Sequence, residues 1–382
     1  MNLALLFIAA AISTAPAPAQ FTLSTACPRG FEKTNAGVCE LRTLYQFYDS
    51  LEGRGLGGTR TALPPHREGF TPYEIDLGRY LFFDPVLSGD KSLSCASCHD
   101  PARGLSDGRP RSVGIDGVDA GRAAPTLWNV AFLQRFFWDA RADSLESQAK
   151  GPLYSAREMG NTPSRLLASL NANANYRQLF GQAFPQDRGP ITEQQVVTAL
   201  AAFQTSLVSL NSRYDRYVHG SDTALTEREI EGLNVFRSFV ARCSECHTPP
   251  LFTNEQIAVI GMPEPAGHAF DIGAEKTIGN EKLKGGFKVP TLRNITRTAP
   301  YSHSGAFADL RSAVEFYNKG RGNAVPPGMH LYLHWHISDP HLSDTEVDRI
   351  VDFLGALTDE TLLPQTPARV PSGLAPAKRG ES

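Results

Sequence analysis

Two stretches decide the reading of this chain: Cys95-Ala-Ser-Cys98-His99 and Cys243-Ser-Glu-Cys246-His247. In C-x-x-C-H the two thiols are spaced to add across the vinyl groups of a haem, and the adjacent histidine turns inward to ligate the iron. A zinc site would need two such pairs to converge, and these lie 148 residues apart in sequence. A thioredoxin-type redox pair needs a βαβ pattern, which is absent. Cys95, Cys98, Cys243 and Cys246 are therefore expected to tether two haem c groups, with His99 and His247 as iron ligands.

Outward from each motif the sequence repeats. Thr71-Pro72-Tyr73-Glu74 is a capping box with proline at the first helical position, and apolar Ile75, Leu77, Leu81 and Phe82 follow it. Thr226-x-x-Glu229 opens the corresponding helix ahead of the second motif, with Ile230, Leu233, Phe236 and Phe239. Thr192-x-x-Gln195 and Ser343-x-x-Glu346 open a closing helix in each copy, and opening and closing signals stand 121 and 117 residues apart. Between them Pro125-Thr-Leu-Trp-Asn129-Val aligns with Pro290-Thr-Leu-Arg-Asn294-Ile, each followed by a leucine 16 residues after the asparagine. That order identifies a duplicated unit. The long middle of each copy reads as irregular, and a large apolar cofactor would supply the core it lacks.

The chain has 382 residues, net charge −3, 41% hydrophobic and 20% charged residues, and six cysteines. Length fits two domains. The charge balance gives no support for nucleic-acid binding, which needs a concentrated basic face. Leu3–Ile12 is a short apolar run ending in Ala17-Pro18-Ala19, which reads as a signal peptide over residues 1–19 although its start lacks Lys or Arg. No later segment is apolar enough to span a membrane. In an exported protein Cys27 and Cys39 are expected to form a loop-closing disulfide; the rival is a lipid-anchored Cys27, which lies far from the apolar run and would orphan Cys39. From Pro101 to Val218 there is no histidine, and Met159 is the only methionine. The first haem thus lacks an evident sixth ligand, which points to chemistry rather than to electron carriage alone.

These residues carry a resemblance. Leu81-Phe82-Phe83-Asp84-Pro85, Ser94 to Asp100, Phe137-Trp138-Asp139 with Arg141, Gln148 to Pro152, Glu158-Met159, Lys288 to Asn294 and Ala299-Pro300-Tyr301 with His303 resemble the bacterial di-haem cytochrome c peroxidase family, which includes the methylamine-utilisation maturation enzymes. The likeness runs over about residues 68–358 and implies a mainly α fold of two tandem cytochrome c-like domains, each with one covalent haem. On that basis residues 20–67 form an N-terminal segment, 68–212 the peroxidatic domain, 213–360 the electron-transfer domain and 361–382 a disordered Pro-rich tail. The resemblance makes Glu158 the distal acid/base, places Gln148 and Pro152 in the same pocket, and makes Trp138 an electron bridge between the haems. It places Tyr317 as distal ligand of the second haem, as in the methylamine-utilisation branch, with Met329 or His330 as the rival; His334 and His336 read as loop or surface residues. Thr298 and Pro300 match an interdomain calcium site.

Three positions depart from the family pattern. Ile115 stands where many members carry a distal histidine that must leave, so the first haem is expected to be open without reductive activation. Ala123 replaces an asparagine of the calcium site. Ala241 stands where the methylamine-utilisation branch has a tryptophan, two residues ahead of its second motif. The resemblance thus implies a periplasmic enzyme reducing hydrogen peroxide, with a small cytochrome or cupredoxin as donor; a homodimer stays open. The alternatives are an oxidase that modifies a partner protein and a non-catalytic electron carrier.

Overall fold

Four hydroxyl side chains start the four helices on which both halves are built. Thr71, Thr192, Thr226 and Ser343 each accept a hydrogen bond from the backbone N–H three residues on, and a Glu or Gln at that third position accepts one back from the cap. Each reciprocal pair satisfies two backbone donors that a helix start otherwise leaves open. The computed structural model describes residues 20–47, 62–320, 325, 328–361 and 364–376, so the expected leader lies outside the described residues.

In chain order the helices are α1 (Pro72–Phe83), α2 (Cys95–Cys98), α3 (Leu145–Tyr154), α4 (Pro163–Ala172), α5 (Ala174–Ala183), α6 (Glu193–Thr205), α7 (Arg213–Val218), α8 (Glu227–Phe236), α9 (Cys243–Cys246), α10 (Glu275–Ile278), α11 (Leu310–Lys319) and α12 (Asp344–Gly355). Two antiparallel pairs accompany them: β1 (Phe31–Lys33) with β2 (Cys39–Leu41), and β3 (Ile257–Val259) with β4 (Gly286–Lys288). The fold is mainly helical, as expected. The middle of the first half is more regular than its sequence suggests. Ser144, Thr162 and Asn173 cap α3, α4 and α5 with their side chains.

The two halves share one packing device. A Cβ on Gly78 of α1 would lie 1.8 Å from the Ala199 carbonyl oxygen of α6, and one on Gly232 of α8 would lie 1.9 Å from that of Arg349 in α12. Glycine lets each pair of backbones touch. Four residues on, Phe82 meets Phe203 with ring centroids 5.0 Å apart and Phe236 meets Phe353 at 5.2 Å. One core gathers α1 and α3–α6; the other gathers α7, α8 and α12. Gly78→Ala or Gly232→Ala is expected to cost about 1–3 kcal/mol by overpacking. Chemical denaturation measures it, and a loss below about 0.5 kcal/mol, the usual scale of a neutral surface change, would contradict the close crossing.

Asn129 and Asn294 repeat the pattern in the loops. Both are left-handed, with φ 63° and 58°, and their amide N–H groups donate to the Leu207 and Leu357 carbonyls, which follow α6 and α12. Their side chains meet at Ser209 in the linker between the halves: Asn129 Nδ2 donates to its carbonyl and Asn294 Nδ2 to its hydroxyl. The N-terminal segment crosses this linker. Cys27 and Cys39 are disulfide-bonded, and Leu41 and Tyr45 pack with Phe132, Val208, Leu210 and Leu251.

The tail corrects the expectation of a disordered segment. Residues 364–376 lie on the first half, with Val370 fully buried. Ser372 donates its hydroxyl and amide to the Asp84 carboxylate at 2.7 and 3.1 Å, and Asn173 and Asn175 donate to the Pro371 carbonyl. Proline removes regular periodicity, but side-chain partners satisfy this backbone without a helix or strand.

Candidate haem centres

His99 is the first anchor. Its Nδ1 bonds the Leu105 carbonyl at 2.9 Å, and burial lowers its pKa, so the ring is neutral at pH 7. With the Nδ1 proton held by that carbonyl, the Nε2 lone pair is left for a metal. His247 repeats this: Nδ1 bonds the Phe252 and Pro290 carbonyls at 3.1 Å, and burial again lowers its pKa.

Cys95, Cys98 and His99 line a cavity of ≈ 980 Å³, together with Trp138, Gln148, Pro152 and Glu158. It reaches the upper end of ordinary ligand-site volumes. Burial pushes the Cys95 and Cys98 thiols up to about 12, so both stand neutral. Two thiols, a neutral imidazole and a cavity of this size in a largely apolar wall fit a haem.

The other residues expected at this cavity come from α3 and the turn after it. Gln148 and Pro152 lie on α3, and Glu158 follows its C-terminus. Burial is the main cause raising the Glu158 pKa; Arg141, the Ser155 hydroxyl and Arg157 only partly oppose it. Ile115 donates its amide to the Glu158 carbonyl at 2.8 Å, and its side chain sits where a Cβ on Gly160 would be, 2.1 Å from Cδ1. Among the described residues lining the cavity, His99 is the only histidine and Met159 the only methionine.

Trp138 lies on the seam between the halves. Its Nε1 donates to the Ala123 carbonyl at 2.9 Å, its carbonyl accepts from the Lys288 amide at 2.7 Å, and its ring is 6.3 Å from that of His303. Arg122 closes the seam by pairing with Asp271 and Asp139. Lys288 and His303 lay in the matched stretches without a role, and Arg122 gave no signal at all. Their partners are too distant in sequence for spacing to show them.

At the second motif Tyr317 keeps 39% of its surface exposed, while its phenol pKa is raised, first by desolvation of the inward-facing part of the side chain and then by the Cys246 and Cys243 thiols. Met329 and His330 line a surface cavity with Glu281, Lys284 and Tyr332. His334 and His336 lie in a loop, as read from sequence, and that loop brings them to Cys246: their ring nitrogens and its sulfur lie within 4.8 Å of one another. Thr298 packs against Gly104 of the first half, and Pro300 follows a cis peptide bond. No helix among the described residues is long and apolar enough to cross a membrane.

Fold and site define the class: a mainly helical protein built around sites for covalent haem. The di-haem cytochrome c peroxidase family matches residues 72–223. Methylamine utilization protein MauG of Methylorubrum extorquens is 35% identical over 306 residues, 79% of this chain and 84% of that protein. Cytochrome c551 peroxidase of Nitrosomonas europaea is 33% identical over 299 residues, covering 76% and 82%. The crystal structure of a MauG-like protein associated with microbial copper homeostasis matches with TM-score 0.72 and 30% identity, over 82% of this chain and 99% of that one. This chain belongs to the di-haem cytochrome c peroxidase family and is an oxidoreductase of the peroxidase kind. Membership implies two haem c groups.

Proposed function

We propose that the protein is a periplasmic peroxidase that reduces hydrogen peroxide in the cavity beside His99, with electrons entering at the Cys243–His247 motif from a small cytochrome or cupredoxin. The observation that carries this reading is the convergence of Cys95, Cys98, His99 and Glu158 on one cavity that holds no second histidine among the described residues. Cys95 and Cys98 would tether the first haem and His99 would ligate it; Cys243, Cys246, His247 and Tyr317 would hold the second. Bound there, the cofactors supply the redox-active iron at which peroxide is reduced.

The protein's own part is proton movement and positioning. A Glu158 carboxylate oxygen takes the proton from one peroxide oxygen and returns it to the other, so that with two electrons and two solvent protons both oxygens leave as water. Gln148 offers an amide to orient peroxide, and Trp138 joins the two halves along the seam as an electron bridge. Thr298 and Pro300 carbonyls would hold a calcium ion between the halves. The ferric protein as isolated is expected to show one high-spin haem in its electron paramagnetic spectrum. Two low-spin, six-coordinate haems would sink the open-site reading.

Tyr317 favours a second reading, oxidation of a partner protein. A phenolate is a hard anionic ligand that favours higher oxidation states. Tyr317→Phe is expected to change the absorption spectrum of the second haem and leave the first alone; an unchanged spectrum returns the ligand role to Met329 or His330. Peroxide turnover with reduced cytochrome, measured beside peroxide-driven modification of periplasmic proteins, separates the two readings.

A further inference from the structure

The loop between α11 and α12 carries His334-Trp335-His336, and the proposed reaction has not used it. Trp335 packs on His336 with ring centroids 3.6 Å apart, yet it is 68% exposed. His334 completes the cluster, its ring 6.1 Å from Trp335 and nearly parallel to it, and 5.1 Å from His336. The loop is pinned from beneath, because the His334 amide donates to the Val259 carbonyl of β3 at 2.8 Å. The His336 amide in turn donates to His334 Nδ1 at 3.3 Å. His336 Nδ1 is buried and has no hydrogen-bond partner among the described residues. Rings therefore run from solvent to within 4.8 Å of the sulfur of Cys246.

A metal does not explain this cluster. With Cys246 committed to a thioether, two imidazoles remain, fewer than a stable divalent site uses. An indole left in water on a pinned loop is better suited to contact. Its ring is among the most readily oxidised of side chains, and its neighbour leads inward to the second motif.

We propose that Trp335 and His336 are the outer relay of the second haem site: a reduced donor protein touches Trp335, and the electron passes through the His336 ring to the Cys246 edge. The proposal rests on the peroxidase reading above. Each passage oxidises one donor, a c-type cytochrome in chemical class, by one electron and leaves Trp335 unchanged. Two passages with two solvent protons account for one hydrogen peroxide becoming two waters.

The test uses the full holoprotein, Trp335→Leu and the conservative Trp335→Phe. Peroxide turnover is measured with a reduced c-type cytochrome and with ascorbate. In Trp335→Leu the ratio of the two rates falls at least tenfold, and Trp335→Phe recovers part of it. A second readout needs no turnover assay. Holoprotein given peroxide without donor is digested, and the Trp335 peptide carries added oxygen by mass spectrometry, one peroxide leaving one oxygen on the indole and one as water. An unchanged ratio, or a Trp335 peptide free of added oxygen, overturns the relay and leaves the peroxidase reading standing. Wild-type holoprotein that fails to consume peroxide with either reductant overturns the peroxidase reading, and the relay falls with it.

Discussion

Glu158→Gln is expected to lower the turnover number for peroxide by about 10²–10⁴-fold, the usual worth of a positioned proton-transfer group. Glutamine keeps the shape and a hydrogen-bonding oxygen but cannot accept and return a proton. Both haem spectra should stay as in the wild type, because Glu158 is neither a tether nor an iron ligand in the proposed arrangement. The pH profile carries a second signature. Burial raises the Glu158 pKa, and the carboxylate is the form that accepts the proton. Wild-type turnover is therefore full at high pH and falls as pH drops through a value above the ordinary carboxylate range; in the glutamine variant that acid limb disappears. Stopped-flow and steady-state rates across pH check both. A variant within twofold of the wild type would remove Glu158 from the mechanism.

The second large effect is on stability. Arg293 and Asp215 are both fully buried, joined by two hydrogen bonds of 2.6 and 2.7 Å. Arg293 Nε also donates to the Pro250 carbonyl, and the Tyr45 hydroxyl donates to Asp215 at 2.5 Å. Asp215→Asn leaves a guanidinium buried without its counter-charge, and is expected to cost about 3–5 kcal/mol. Denaturant or thermal unfolding of the holoprotein measures it; a loss under about 1 kcal/mol, the scale of an exposed pair, would show the pair to be solvated. The sign with pH follows from the carboxyl. Burial alone would raise Asp215, but Arg293 more than offsets it and holds the carboxyl below its usual range. The pair's contribution is then complete above the unfolded carboxyl pKa and is lost as pH falls through the depressed folded value. Because Tyr45 comes from the disulfide-bearing segment, Asp215 from α7 and Arg293 from the loop before α11, this pair also ties three distant stretches of chain together.

Much of this was legible in the sequence because its causes are local. A capping box acts over three residues, a C-x-x-C-H motif over five, and a duplication is visible as a repeated order of such signals. The four caps form as their spacing dictates, and Cys27 pairs with Cys39 across one short hairpin. The glycine crossings were not legible. Gly78 and Gly232 carry no local signal, and their role comes from the opposing carbonyls of Ala199 and Arg349. The same holds for Val370, which reads as part of a proline-rich tail and becomes core only when the first half provides a surface for it.

By itself the sequence determined the motifs that imply covalent haem and the helical scaffold: four cysteines and two histidines in motif, and amphipathic helices opened by their own side chains. It also determined that the unit occurs twice. Only the tertiary structure decided which distant groups meet. It set Arg293 against Asp215, Ser372 against Asp84, Glu158 in the cavity of His99, and His334 and His336 beside Cys246. The physical reason is range. Hydrogen-bonded caps and motif spacing are set by a few consecutive dihedral angles, whereas burial and ion pairing between residues far apart in sequence exist only once the chain has closed around them.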